Sequence, residues 1–386
     1  MKTINVVIFF SLVIGILTSV NFYICIRGLQ AIPYESIIRV PYIIFFIIIS
    51  SSYIAGRILE RYSICIASDV LIWIGSFWLG IMLYLFLGVV IFDIVRFINW
   101  LAGIVPVPST GYDRIKLIAA LAVAASAAMA VFGGYINTLH PRITTLVIDI
   151  PKKAGDRACL DIALVTDIHL GTIISNSRLQ NMVDMVNSIH PDLVLLGGDI
   201  VDEDLAPVIE NNLGELLRSI RSRIGTFAVT GNHEYIGGVE QACRYLSEHG
   251  VRMLRDEAIC IDSCLFLVGR EDRSSRQFTG TRRKQLGEIL QGIDRSYPII
   301  LMDHQPFHLS EAAGQGVDLQ LSGHTHDGQL WPASIITGAI YEVSSGYKKI
   351  GGANVYVSSG YGTWGPPSRV GTSPEVVHIK LRFKRT

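Results

Sequence analysis

Hydrophobic and polar positions follow two different patterns along the chain, and the change lies near residue 140. Four long apolar stretches occupy the first part, at about 4–25, 40–54, 70–92 and 118–136. A helix needs about 20 apolar residues to cross the hydrocarbon core of a bilayer, and the short second stretch approaches that length when it is extended toward residue 56. The pattern therefore predicts a helical membrane domain over residues 1–140 with about four transmembrane spans.

The basic residues beside these spans indicate which side of the membrane each end of the chain occupies. An even number of spans places both termini on one side, and seven basic residues lie near the helix ends there: Lys2, Arg57, Arg61, Arg142, Lys152, Lys153 and Arg157. The opposite side has five: Arg27, Arg39, Arg96, Arg114 and Lys116. Basic residues are enriched in cytoplasmic segments, so this excess favours a cytoplasmic location for both termini.

From residue 141 onward, short apolar strands alternate with amphipathic helices. The first predicted strands lie at 142–150, 160–165, 192–196 and 225–230, with helices between them at 178–189 and 208–222. Further strands follow: two within 253–268, then 298–302, 319–322, 355–357 and 376–381. A β-α-β-α-β series followed by a strand-rich region predicts an α/β domain over residues 141–386, with two packed mixed sheets and outer helices.

Composition supports this division and narrows the choice of partners. Hydrophobic residues make up 50% of the chain and its mean hydropathy is +0.41, which is too apolar for a wholly soluble protein. The formal net charge is zero, and the chain has no long basic run, so we expect no nucleic-acid partner. The six cysteines form no C-x-x-C pair, so the sequence indicates neither a zinc ribbon nor a disulfide framework.

Candidate chemistry is concentrated in five short motifs at the ends of predicted strands. The motifs are Asp167-Ile168-His169, Gly198-Asp199, Gly231-Asn232-His233-Glu234, His304 and Gly323-His324-Thr325-His326. Their oxygen and imidazole donors suit Mn²⁺, Fe, Zn²⁺ or Mg²⁺. Open α/β sheets place their sites at the carboxyl ends of strands, so we expect these motifs to meet. His304 stands alone, and a satisfied core histidine is the alternative at that position.

The motifs resemble those of the calcineurin-like metallophosphoesterases, and the resemblance covers residues 142–386. It implies a first metal held by Asp167, His169 and His326, and a second held by Asn232, His304 and His324. It also implies that Asp199 bridges the two metals and that His233 is the catalytic histidine. Gly-His-Thr-His followed by Gly328-Gln329 looks most like the membrane-associated bacterial branch, although Asp327 stands where that branch usually has glycine. This branch implies a bacterial inner-membrane protein.

Hydrolysis of a phosphoester explains why these residue types occur together. Two cations about 3.5 to 4 Å apart can share a carboxylate, activate water and neutralise charge that develops on the phosphoryl group. His233 follows the ligand Asn232 on a tight turn, so it can protonate the leaving oxygen without binding a metal. The loop over residues 360–369 is a candidate cap, with Trp364 as an apolar wall and Arg369 as a phosphate contact. An ordinary surface connection is the alternative for this loop.

These observations predict a membrane-anchored phosphohydrolase with two divalent metal ions. Its substrate would carry a phosphoester, phosphodiester or pyrophosphate bond, and the membrane domain favours a lipid or a lipid-linked nucleotide. The alternative is a membrane receptor or scaffold whose phosphoesterase-like domain binds metal without turnover. The presence of the proton donor His233 favours the enzyme, because a scaffold has no need of that residue.

Overall fold

The computed structural model describes residues 2–104 and 112–384 and divides into two compact units. The first unit comprises Met1–Ile136 and Gly365–Ser368. The second comprises Asn137–Trp364 and Arg369–Thr386. The chain therefore leaves the second unit for four residues near its C-terminus and then returns to it.

Four long apolar helices form most of the first unit: α1 (Lys2–Ala31), α2 (Arg39–Tyr62), α3 (Ile66–Ala102) and α4 (Tyr112–Thr138). Each contains a segment of 21 to 37 residues that is long and apolar enough to cross a membrane. This confirms the four predicted apolar helices, including the second, which runs beyond the apolar stretch at both ends. Gly75 lets α3 approach α2 closely, because a Cβ there would lie 2.2 Å from the amide nitrogen of Tyr53.

Two six-stranded sheets form the centre of the second unit. In the first sheet the order is β1-β12-β2-β3-β4-β5, for β1 (Arg142–Ile150), β2 (Cys159–Val165), β3 (Leu193–Leu196), β4 (Gly225–Ala228), β5 (Val251–Met253) and β12 (Glu375–Phe383). In the second sheet the order is β10-β11-β9-β8-β7-β6, for β6 (Glu257–Ile261), β7 (Leu265–Gly269), β8 (Ile299–Met302), β9 (Leu319–Ser322), β10 (Gly346–Ile350) and β11 (Ala353–Val357). Both sheets mix parallel and antiparallel neighbours, which confirms the predicted two-sheet α/β fold.

Short helices connect the strands and cover the sheets: α5 (Asn176–Ser188), α6 (Ala206–Glu210), α7 (Leu213–Arg218), α8 (Asn232–Gly237), α9 (Val239–Glu248), α10 (Ser275–Phe278), α11 (Leu286–Ile289), α12 (Leu309–Gly314) and α13 (Ala333–Ile340). The single helix predicted over 208–222 is wrong, because the segment contains the end of α6, all of α7 and a turn. Asn212 separates them with φ 51°, a left-handed conformation that ends a right-handed helix.

The main hydrophobic core lies between the two sheets. Because it packs the strands against one another, it also holds their ends in fixed positions. Leu164 and Phe227 of the first sheet belong to the same buried cluster as Leu267 and Met302 of the second. A second cluster packs α5 and α7 against the outer face of the first sheet, and a third packs α11 and α12 against the second. Because both faces of the central strands are covered, β3 and β8 consist entirely of apolar residues and do not alternate.

Candidate metal centre

The five motifs follow the carboxyl ends of five strands: β2, β3, β4, β8 and β9. Backbone hydrogen bonds join the loops to one another. The N–H groups of Asp167 and His169 donate to the carbonyls of Gly198 and Asp199, each at 3.0 Å, and the N–H of Gly323 donates to the carbonyl of His304 at 2.9 Å. The motifs therefore form one continuous site at a single edge of the sandwich.

Several motif residues adopt a backbone conformation that is unfavourable for any residue other than glycine. The φ angles are 53° for Asp167 and His169, 49° for Asp199 and His326, and 72° for His324. A left-handed conformation costs such a residue about 1–2 kcal/mol. Strain of this kind persists only where the surrounding structure imposes it, and it clusters at functional sites.

Two groups of ligand atoms lie side by side. In the first group, one atom each from Asp167, His169 and His326 lie within 4.8 Å of one another, and the Nε2 atoms of the two histidines are 3.1 Å apart. The second group brings Asp199, His304 and His324 equally close, with Nε2 of His304 3.0 Å from Oδ2 of Asp199. Asp199 also belongs to a group with His169, so its carboxylate stands between the two sets.

An unsatisfied buried atom indicates that the site suits cations. Oδ1 of Asn232 is buried and accepts no hydrogen bond within residues 2–104 and 112–384. Buried polar atoms nearly always have a partner, so this oxygen requires one. Nδ1 of His304 lies 2.8 Å from the carbonyl of Gly197, which can only accept, so Nδ1 carries the proton and Nε2 presents a lone pair in the neutral ring. Together with the carboxylates, these donors fit two divalent ions.

The electrostatics of the site agree with that assignment. Burial opposes ionisation of Asp199, but His304, His233 and His169 outweigh it and hold the pKa of that carboxyl well below its usual range. Burial likewise disfavours a charged His304, yet Asp199 raises the pKa of this ring well above the ordinary value. Burial, Arg369 and His169 lower the pKa of His326 well below the ordinary value. The pair of Asp199 and His304 therefore holds a proton that a cation at Nε2 would displace.

Glu234 of the third motif is a structural carboxylate and not a ligand. It is buried, and it accepts hydrogen bonds from the backbone N–H groups of Gly231, Asp199, Ile200 and Val201, at 2.7 to 3.1 Å. These bonds tie the third motif to the second. In addition, Oδ1 of Asp199 accepts the N–H of His233 at 2.8 Å, so the bridging candidate is fixed by the turn that presents the candidate proton donor.

His233 lies beside the ligands, and Asp202 accompanies it. Nδ1 of His233 is 3.2 Å from Oδ1 of Asp202, and its ring centroid is 4.6 Å from that of His169. Burial lowers the pKa of His233, but Asp199, Asp202 and Glu203 together raise it to about 9. Sequence reasoning missed Asp202. The available signal was its place three residues after Asp199, in the same loop beyond β3.

Trp364 and Arg369, the candidate substrate contacts, occupy different surroundings. Trp364 is 50% exposed, and its ring lies 5.6 Å from that of His233. Arg369 is 1% exposed and donates to the carbonyls of Ser359 and Gly362 at 2.6 and 2.7 Å. Its Nη2 is also 3.0 Å from Nδ1 of His326. Burial lowers the pKa of Arg369 to about 10. The guanidinium is thus directed at the protein's own groups and contacts the ring of His326, a candidate metal ligand.

Comparison with known proteins identifies related chains. Residues 160–328 match the calcineurin-like phosphoesterase family. An uncharacterized metallophosphoesterase of Aquifex aeolicus is 33% identical over 252 residues, which cover 65% of this chain and 95% of the relative. An uncharacterized metallophosphoesterase of Helicobacter pylori is 34% identical over 251 residues, which cover 64% of this chain and 66% of the relative. A Danio rerio transmembrane protein with a metallophosphoesterase domain is 31% identical over 274 residues, which cover 68% of this chain and 62% of the relative. The match thus spans slightly less than two thirds of the length of the last two relatives.

Proposed function

The chain belongs to the calcineurin-like phosphoesterase family, and on that basis we propose that it is a membrane-anchored phosphohydrolase with two divalent metal ions. One observation carries this proposal: the carboxylate of Asp199 lies in one group of ligand atoms with His304 and His324 and in another with His169, which also belongs to the group of Asp167 and His326. In the proposed centre the first ion is held by Asp167, His169 and His326. The second is held by Asn232, His304 and His324, and Asp199 contacts both ions.

The chain's own residues complete the chemistry. Two divalent ions supply an activated water molecule and neutralise charge on the phosphoryl oxygens. His233 donates a proton to the leaving oxygen, and because Nδ1 faces Asp202, Nε2 is the nitrogen that delivers it. Asp202 fixes the orientation of the ring. Trp364 forms a half-exposed apolar wall beside His233 and positions the part of the substrate that leaves.

The substrate proposed is a lipid or a lipid-linked nucleotide, cleaved at a phosphoester, phosphodiester or pyrophosphate bond. The four apolar helices support it, since they hold the enzyme at a bilayer. A second support is α13, which begins seven residues after His326 and has no buried residue. Its exposed apolar side chains, with that of a neighbouring tryptophan, are Trp331, Ile335, Ile336 and Ile340. An exposed apolar surface so close in sequence to a metal ligand suits an acyl chain.

A chromogenic phosphodiester tests the proposal against the scaffold alternative. Full-length protein in detergent, supplied with Mn²⁺, should hydrolyse bis(p-nitrophenyl) phosphate, and a chelator should abolish the turnover. Asp199→Asn is the matched control, because it removes the shared carboxylate while conserving size. Metal binding without any turnover by the wild-type protein would instead identify the domain as a receptor or scaffold. A screen of phospholipids and nucleotide-linked lipids then identifies the substrate.

The side of the membrane is also part of the proposal. We infer that the second unit lies in the cytoplasm, at a bacterial inner membrane, because four spans place it with the N-terminus and basic residues favour that side by seven to five. On this orientation the substrate is a cytoplasmic or inner-leaflet molecule.

A further inference from the structure

A cavity of about 270 Å³ in the second unit is lined by an unusual number of cations. Side chains from the segment after β7 and from the segment after β8 form its walls. Six of them are basic: Arg270, Arg273, Arg276, Arg282, Arg283 and Lys284. Glu311 is the carboxylate among the lining residues. Because opposite charges would ordinarily be interspersed on a protein surface, this cavity is a strongly positive site.

Two of the arginines are held in place by carboxylates. Nη1 of Arg270 lies 3.2 Å from Asp303 and 3.1 Å from Glu311, and Nη1 of Arg283 lies 2.8 Å from Asp303. The charges of these two side chains are therefore largely balanced. Their ion pairs hold this part of the cavity wall in place. The net positive charge of the cavity therefore comes from its other basic side chains.

The remaining three arginines are exposed and carry uncompensated charge. Within the described ranges 2–104 and 112–384, no ion pair joins Arg273, Arg276 or Arg282 to an acidic group. Arg273 stacks its guanidinium over the ring of Phe307 at 4.7 Å, which fixes its plane. Three unpaired guanidinium groups around one cavity favour an anion, and their planar donors suit the oxygens of a phosphate group.

Two buried atoms in the cavity wall point to a ligand independently of the charge. Nε of Arg270 and Oγ of Ser275 have no hydrogen-bond partner in the part of the chain that the structure describes. The two residues are 5% and 3% exposed and both line the cavity. Leaving a buried donor unsatisfied is unfavourable, so such atoms are expected to meet an acceptor. The oxygens of a bound phosphate would satisfy both.

Side-chain contacts link the wall of the cavity to the candidate metal centre. Asp303, which pairs with Arg270 and Arg283, immediately precedes the ligand His304. A row of rings also connects the two places: Phe307 under Arg273 lies 4.8 Å from Tyr341, whose ring is 6.2 Å from that of His324. These contacts place the cavity beside the candidate metal centre, and the proposed path of a substrate between them runs along Tyr341 and Phe307.

We propose that this cavity binds a second phosphate group of the substrate, distinct from the group that is hydrolysed. The inference rests on the proposed function and narrows its substrate to molecules with at least two phosphate groups. A phosphorylated lipid headgroup and a soluble nucleoside diphosphate share this chemistry. Arg276 and Arg282 contact the second phosphate, and Arg273 holds it against the aromatic wall.

The test compares phosphate binding by the full-length wild-type protein and two variants of it, all in detergent and loaded with Mn²⁺. The cavity variant carries Arg276→Gln and Arg282→Gln, and the control variant carries Arg221→Gln and Arg244→Gln, two exposed arginines outside the cavity. Calorimetric titration with inorganic phosphate should detect a binding event in addition to any at the metal centre; the control should retain this additional event, and the cavity variant should weaken it at least about tenfold. Equal phosphate binding by all three proteins would overturn the inference.

Turnover of bis(p-nitrophenyl) phosphate shows whether a negative result contradicts the phosphate site in the cavity or the proposed hydrolase activity. That substrate has one phosphate, so the cavity variant should hydrolyse it at the wild-type rate, which also shows that the variant is folded. Loss of phosphate binding with turnover intact supports the cavity, whereas absence of turnover in the wild type contradicts only the proposed function. Competition by phosphatidic acid and by glycerol phosphate distinguishes a lipid ligand from a soluble one. Tighter binding of phosphatidic acid indicates a lipid headgroup, and equal binding of the two indicates a soluble phosphate.

Discussion

Nδ1 of His233 lies 3.2 Å from Oδ1 of Asp202, and His233 also belongs to one group of potential ligand atoms with Asp199 and His169. The motif that presents His233 and the loop that presents Asp202 follow different strands, β4 and β3. Asp202 therefore orients the imidazole from outside the ligand set. The pair gives the proposed proton transfer a fixed geometry, and its two members should act as a unit.

His233→Ala should lower kcat by about 10²- to 10⁴-fold, the usual contribution of a general acid, while metal content stays near the wild-type value. The loss should be smaller for esters with good leaving groups, because these need less protonation. Steady-state kinetics on a series of aryl phosphodiesters measures this. An equal loss across the series would remove His233 from the role of proton donor.

Asp202→Asn should give a smaller loss in kcat, because the ring remains but its orientation is less restricted. The loss in a variant that carries both substitutions should be less than the product of the two single losses, because Asp202 acts mainly through His233, although its Oδ1 also lies 3.6 Å from Nδ1 of His169. A double-mutant cycle in kcat measures this coupling. Independent, additive losses in the two variants would show that Asp202 acts elsewhere.

Arg369→Lys distinguishes the supporting role found in the structure from the phosphate contact expected from sequence. Lysine keeps the charge but loses the planar donors that reach two carbonyls and His326. We expect the first metal site to weaken, so that the metal content of the purified protein falls. Elemental analysis and KM decide between the two roles: unchanged metal content with a raised KM would favour direct contact with substrate.

Ile336→Glu tests the lipid part of the proposal. Ile336 on α13 is 61% exposed, and Ile209 on α6, which is 54% exposed, provides a matched control. The glutamate at position 336 should lower kcat/KM for a phospholipid substrate in mixed micelles and leave hydrolysis of bis(p-nitrophenyl) phosphate unchanged. Ile209→Glu should change neither. An equal effect of both substitutions on the lipid substrate would argue against a specific apolar contact at α13.

Reporter fusions test the orientation. A phosphatase that is active only outside the cytoplasm should be silent when joined after Thr386 and active when joined after Arg114. The reverse pattern would place the second unit on the outer face and replace a cytoplasmic substrate with one of the envelope. Equal signals at both positions would show that one of the four helices does not cross the membrane.

The strands that carry ligands could be predicted from the sequence because their signals are local. The strand that delivers Asp199 is an unbroken apolar run, and Asp161 alone interrupts the strand that delivers Asp167, as expected for strands covered on both faces. Asn212 shows the limit of this reasoning, since its left-handed backbone divides a segment that looks amphipathic throughout. Local pattern predicts where an element lies more reliably than where it ends.

The supporting residues could not be predicted, because their roles depend on contacts between distant segments. Arg369 reaches His326 across 43 positions, and Arg270 meets Asp303 across 33. The cavity combines two segments that carry no recognisable motif. Its five arginines lie within residues 270–283, and only the fold shows that they surround one space with residues of the segment after β8.

The number of metal ions in the active protein tests the central claim most directly. The account predicts two divalent ions per chain, measured by elemental analysis of purified wild-type protein that hydrolyses bis(p-nitrophenyl) phosphate. Asp199→Asn should lower the content of both ions together and abolish turnover, because the shared carboxylate serves both. At most one metal ion per chain in a fully active wild-type preparation would contradict the dinuclear centre.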